Sequence, residues 1–99
     1  MTYSYIISPF AELDLDTIQE WYTLHSETLF PKFDKEFTAC LHLIVANPSQ
    51  FPLIRNNIRR AILKRFPYSI FFQVKEEKIF ILSVIHHKRN PKVWKQRKV

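Results

Sequence analysis

Ninety-nine residues with 46% hydrophobic and 15% aromatic content suffice for one domain around one core, and not for two. Glycine is absent, against a usual frequency of about 7%, which argues against phosphate-cradling loops, dinucleotide fingerprints and the nucleophile elbow, since all of these need glycine for close backbone approach or positive φ. Charge is segregated: residues 1–50 carry two cations against seven acids and residues 51–99 carry thirteen against two, so the net +6 divides into halves of −5 and +11 and commits the second half to an anionic partner.

Tyr3 to Ile7 is a short β-branched and aromatic run that reads as a strand stopped by Ser8-Pro9. A helix follows, beginning either at Pro9 behind a Ser8 cap or behind Asp16, where Gln19 three residues on would complete a capping box. Ala11, Leu15, Ile18 and Tyr22 recur at helical spacing with Trp21 and Leu24 beside them, while Asp14, Asp16 and Glu20 fall largely on the other side as a solvated face. Pro31 suits the first turn of a second helix with a buried stripe of Phe33, Phe37, Leu41 and Ile44, flanked by Cys40 and Leu43 and closed by Asn47-Pro48. Only a few residues around Ser26 separate the two, which predicts an antiparallel hairpin.

The apolar loop Phe51-Pro52-Leu53-Ile54 is expected to fold back on the core. Three strands come next, about Ile58–Arg65, Tyr68–Val74 and Lys78–His86, with Lys75-Glu76-Glu77 turning between the last two. In the third, Ile79, Ile81, Ser83 and Ile85 alternate with Phe80, Leu82, Val84 and His86, so both faces are apolar and the strand belongs inside the sheet. Pro91–Arg97 fits a last helical turn or a fraying end. The elements predict an α+β fold: an N-terminal strand and an α-helical hairpin packed on an antiparallel β-sheet, in a single domain spanning 1–99.

Cationic side chains gather at the strand ends. Arg59, Arg60, Lys64 and Arg65 lie on the first of the three strands and His86, His87, Lys88 and Arg89 close the last. In a metal-independent nuclease, Arg60, Lys64 and Arg89 would hold the scissile phosphate and His87 would move a proton. As a binding surface, Arg59, Arg60, Lys64, Arg65, His87, Lys88, Arg89 and Trp94 would dock an acidic protein or a polyanion. Adjacent histidines on a strand point to opposite faces and cannot share one ion, and one cysteine cannot build a thiolate cage, so neither metal nor cofactor is expected. Cys40 reads as a small buried apolar residue. No apolar run approaches the roughly 18 residues of a spanning helix, and Met1-Thr2-Tyr3-Ser4 lacks the start of an export signal, so a cytoplasmic location away from membranes is expected.

The elements Phe66-Pro67-Tyr68, the alternating Ile79–Ile85 strand and His87-Lys88-Arg89-Asn90-Pro91 followed by Trp94 resemble the RelE/ParE superfamily of toxins from type II toxin–antitoxin modules. Ser8-Pro9-x-Ala11 and Asn47-Pro48 are similar to that family's opening. The resemblance implies a growth-inhibiting toxin neutralised by a cognate acidic antitoxin. It further implies one of two targets: DNA gyrase, poisoned without RNA hydrolysis, or messenger RNA cut on the ribosome. The nuclease branch carries arginine immediately after the position of Tyr68, where this chain has Ser69, and Trp94 stands where such enzymes place an ionisable tyrosine or histidine. These departures put the chain closer to the ParE branch, with plasmid stabilisation as the associated role and a RelE-like endoribonuclease as the alternative.

Overall fold

The computed structural model describes residues 3–88. Strand β1 (Ser4–Ile7) ends where Ser8, in extended conformation, accepts the Ala11 N–H through its hydroxyl at 3.2 Å and so caps helix α1 (Pro9–His25). Pro9, with no N–H to satisfy, fills the first turn, and the alternative start at Asp16 is ruled out. Ser26 closes α1 by donating its backbone N–H to Tyr22, and Thr28 opens helix α2 (Leu29–Ala46), whose first turn accommodates Pro31 for the same reason. Phe33, Phe37, Cys40, Leu41 and Ile44 form the buried stripe of α2, as their spacing predicts. Leu43, Trp21 and Leu24 do not join the core: each is more than half exposed, Leu43 and Trp21 because they fall past the edge of the buried arc of their helix and Leu24 because it lies on the outer side of α1.

A short 3₁₀ turn (Pro48–Gln50) leads to the one element not anticipated, edge strand β2 (Leu53–Arg55). The apolar loop expected to fold back on the core is divided by this strand: Phe51 packs edge-on against Phe72 at 5.8 Å, while Leu53 pairs with Arg59 and is left half exposed. Strands β3 (Ile58–Ile62), β4 (Tyr68–Lys75) and β5 (Lys78–His86) follow, and β3 stops three residues short of the expected Arg65. Lys64 and Arg65 therefore lie in a loop, where the Arg65 backbone N–H donates to the Glu36 carboxylate of α2 at 3.1–3.2 Å. With no glycine available, the turns before β3 and β5 place Asn56 (φ 50°) and Glu76 (φ 59°) in the left-handed region, at a cost of about 1 kcal/mol each.

The five strands run in the order β1-β5-β4-β3-β2, with β1 parallel to β5 and every other pair antiparallel. A β-bulge alters the face assignment of β5. Phe72 lies opposite Ile81 and Phe71 opposite Ser83, leaving Leu82 as the extra residue. Before the bulge Ile79 and Ile81 face the helices; after it Val84 and His86 do. The regular alternation expected from the sequence therefore breaks at Leu82, and Ile85 packs with Leu82, Phe71 and Ile58 on the opposite face.

The main core lies between the helices and one face of the sheet, with Ala11, Phe33, Ile44, Ala61, Ile70, Phe72, Ile79 and Ile81 fully enclosed. β5 extends five residues beyond its last β1 partner, Ile81, leaving an edge of backbone groups without a strand beside them. Ser8 and helix α1 satisfy two of them. Ser8 donates its hydroxyl to the Leu82 carbonyl at 3.3 Å, and the Asp14 carboxylate accepts the Val84 N–H at 3.0 Å. Asp14 is thus not part of a solvated acidic face, as its neighbours Asp16 and Glu20 are; it stands three residues after Ala11 and four before Ile18, which turns it toward the sheet. Asp14→Ala should cost about 1–3 kcal/mol, the range for losing a charge-assisted bond and stranding its donor, whereas Asp16→Ala should stay within about 0.5 kcal/mol. Urea unfolding of the two variants side by side checks this, and equal midpoints would contradict it.

Candidate functional site

The basic residues expected to act together divide between three places. Along β3, Arg60 and Ile62 point to the face away from the helices and Arg59 and Ala61 point toward them, as their partners Phe71, Ser69, Phe72 and Ile70 require. Arg59 is consequently not part of the same surface as Arg60. Its guanidinium donates to the Phe51 carbonyl at 2.6 Å and to that of Ser49 at 3.4 Å, clipping the loop after α2 to the sheet. Alternation along β3 already carried this signal, since Ala61 and Leu63 share the face of Arg59.

Arg60 lines a small cavity of about 190 Å³ with Ile62, Ser69, Phe71, Ile85, His86 and His87. Its Nε is buried and has no hydrogen-bond acceptor among the described residues. Ser69 is buried, pairing with Ile62 on one side and Ile85 on the other. Lys64 and Arg65 do not line this cavity. Lys88 faces a different one, and Arg89 and Trp94, with the expected Pro91–Arg97 turn, lie outside the described residues.

The second cavity, of about 470 Å³, was not visible in the sequence: Thr17, Ile18, Trp21 and Tyr22 of α1 form one wall, and Pro67, Tyr68, His86 and Lys88 the other. His86 packs edge-on against Tyr68 at 5.1 Å, and its Nδ1 accepts the Lys88 backbone N–H at 3.1 Å, which in the neutral ring leaves Nε2 as the protonated nitrogen. The His87 backbone N–H is held by the Pro67 carbonyl at 2.9 Å while its side chain is exposed. Around the cavity floor Tyr22 makes edge contacts with Tyr68 and Phe66. Burial, and then the neighbouring and hydrogen-bonded Tyr68, push the Tyr22 phenol up to about 12. Burial first and Glu36 second likewise raise the Cys40 thiol to about 11, so at neutral pH it is protonated and no nucleophile. Among the described residues no three metal-ligating side chains come together, and no helix is long and apolar enough to cross a membrane.

Residues 5–91 match the family described as the ParE toxin of the type II toxin–antitoxin system, parDE. The chain belongs to the ParE toxin family. Among solved structures it resembles the chromosomal ParDE toxin–antitoxin system from P. aeruginosa, with a TM-score of 0.71 and 24% identity, covering 86% of this chain and 96% of that one. At that identity the likeness speaks for the fold, a helical hairpin on a mostly antiparallel sheet. No curated protein sequence matches the chain. This ParE toxin is therefore a type II toxin whose strand ends carry one guanidinium in a small cavity on the sheet face away from the helices and a larger aromatic cavity on the helix face.

The raised Tyr22 phenol has a consequence for stability. Native Tyr22 stays protonated to about 12 while an unfolded tyrosine ionises near 10.0, so its contribution is complete below pH 10 and is lost as pH rises toward 12. Thermal unfolding across that interval should fall more steeply in the parent than in Tyr22→Phe. Parallel curves for the two would contradict the assignment.

Proposed function

We propose that this ParE toxin arrests growth by binding DNA gyrase, without cutting RNA, and that a cognate acidic antitoxin silences it by covering the cationic strand ends. The observation that carries this reading is the environment of Ser69. Where a nuclease of the wider superfamily would carry an arginine, this chain has a buried hydroxyl between Ile62 and Ile85. Phosphodiester cleavage needs several cations converging on one phosphate and a proton-moving group within reach. Arg60 is the one Lys or Arg lining its cavity among the described residues, with Lys64, Arg65 and Lys88 dispersed around it and Arg59 bonded to carbonyls on the far face.

Such an arrangement suits protein recognition. Dispersed, exposed lysines steer an acidic partner, and Arg60, half-buried on the wall of its cavity, offers its guanidinium to one carboxylate. His87, exposed and held by its backbone, belongs to the same rim, and Arg65, Arg89 and Trp94 complete the proposed contact set, from which Arg59 drops out because its guanidinium is bonded to the Phe51 and Ser49 carbonyls on the other face. The medium of action is taken to be the cytoplasm, where both gyrase and an antitoxin would be met.

Expression of the chain alone should arrest bacterial growth, and the purified protein should inhibit supercoiling by gyrase. His87→Gln should leave arrest nearly intact, since no proton transfer is required; loss of a general acid or base would instead cost about 10²- to 10⁴-fold. Sequencing of cellular RNA ends decides the matter: codon-phased cuts that vanish in His87→Gln would replace this reading with the messenger RNA interferase. For the antitoxin, Lys64→Glu combined with Lys88→Glu should slow association at low salt and converge with the parent as ionic strength rises. Identical on-rates at low salt would sink the steering role.

A further inference from the structure

Helix α1 carries a second apolar stripe that the core does not use. Leu13, Trp21 and Leu24 are 62%, 52% and 79% exposed, and with Thr17 they recur at four-, four- and three-residue steps, which gathers them into an arc of about 80° at 100° per residue. Thr17 donates its hydroxyl to the Leu13 carbonyl at 3.0 Å, so no polar group on the stripe calls for an outside partner. Trp21 is held rigidly, stacked on His25 at 3.9 Å with the rings 18° apart, while the His25 Nδ1 lies 2.7 Å from the Trp21 carbonyl. Large, exposed and preordered apolar side chains in one row are the arrangement by which an amphipathic helix is recognised.

The borders of the stripe differ in charge. On one side Leu24 adjoins a shallow depression lined by Asp16, Gln19, Glu20 and Thr23. On the other, Thr17 and Trp21 descend into the aromatic cavity that Lys88 and His86 face. Helix α1 itself contains no lysine or arginine, so a second copy of this helix would set carboxylates against carboxylates. Nucleic acid and anionic lipid meet the same repulsion.

We infer that the outer stripe of α1 is a docking site for an amphipathic helix of a protein partner, apolar where it meets Leu13, Trp21 and Leu24 and cationic on the flank that lies over Asp16 and Glu20. The flank toward Lys88 is neutral or acidic. This surface is opposite in sign to the cationic strand ends, and it does not depend on which target those strand ends engage. A single acidic segment would satisfy only the strand ends.

The test uses the full chain and three fluorescently labelled helical peptides that share one apolar face and differ only along one flank: lysine, glutamate or glutamine. Fluorescence anisotropy should give the lysine peptide about tenfold tighter binding than the glutamate peptide at low salt, the amount expected of two exposed ion pairs. The chain's net charge of +6 works against this preference, so its sign is informative. Leu13→Ser with Leu24→Ser should weaken the lysine peptide about tenfold or more with unchanged thermal unfolding, since both leucines are exposed. Asp16→Lys with Glu20→Lys should reverse the order of the peptides. Equal affinities, preference for the glutamate peptide, or binding indifferent to both double variants would overturn the proposal. So would concentration-dependent dimerisation abolished by the leucine substitutions, which would assign the stripe to a second copy.

Discussion

The architecture turns on the free edge of β5. This strand is the longest of the sheet and lies between a four-residue parallel partner, β1, and an eight-residue antiparallel one, β4. Past Ile81 its outer edge has no strand, and unpaired backbone groups buried there would each cost about 1–3 kcal/mol. Ser8, at the cap of α1, supplies a donor for the Leu82 carbonyl, and Asp14 of α1 supplies an acceptor for the Val84 N–H. The same serine caps the helix, so one residue ends β1, begins α1 and pins that helix across the sheet. Everything that α1 later presents, from the cavity wall at Thr17 and Tyr22 to the outer stripe at Trp21 and Leu24, is positioned by that fastening.

The bulge at Leu82 is the companion feature. Without it, Ser83 and Ile85 would continue the face of Ile79 and Ile81, and His86 would turn away from Tyr68. With it, His86 closes on Tyr68 beneath the aromatic cavity, and Ile85 joins Phe71 to wall the cavity of Arg60. One extra residue thus distributes the end of β5 between two recesses on opposite faces of the sheet. The two recesses differ in lining: Arg60 and His87 on one side, and on the other an aromatic wall continuous with an apolar, acid-bordered helix.

Much of this was legible before any coordinates. Helical periodicity identified Ala11, Ile18 and Tyr22 and the Phe33–Ile44 stripe as buried, proline and serine marked the helix starts, and the composition of residues 68–86 announced paired interior strands. The site was less legible. Arg59 and Arg60 are neighbours in the chain, yet one is bonded to carbonyls on the helix side and the other opens onto the far face. Propensity extends β3 through Lys64 and Arg65, but the strand stops at Ile62, since propensity does not reveal where a partner strand ends. Asp14 reads with Asp16 and Glu20 as one solvated side of the helix, yet it lies nearer the buried stripe than they do and reaches the Val84 N–H, a partner that spacing along the helix does not reveal.

What the sequence determined alone is what depends on near neighbours: which residues form helices and strands, which stripe of each helix is apolar, the segregation of charge into halves of −5 and +11, and, through its motifs, the family. These follow from backbone sterics, capping and periodicity, which act over a few residues. Tertiary structure decided the parallel pairing of β1 with β5, the existence of β2, the phase change at Leu82, and the partners of Asp14 and Arg59. Each of these is a hydrogen-bonding choice that is settled only when segments distant in the chain compete for the same buried donors and acceptors, and local preference carries no record of that competition.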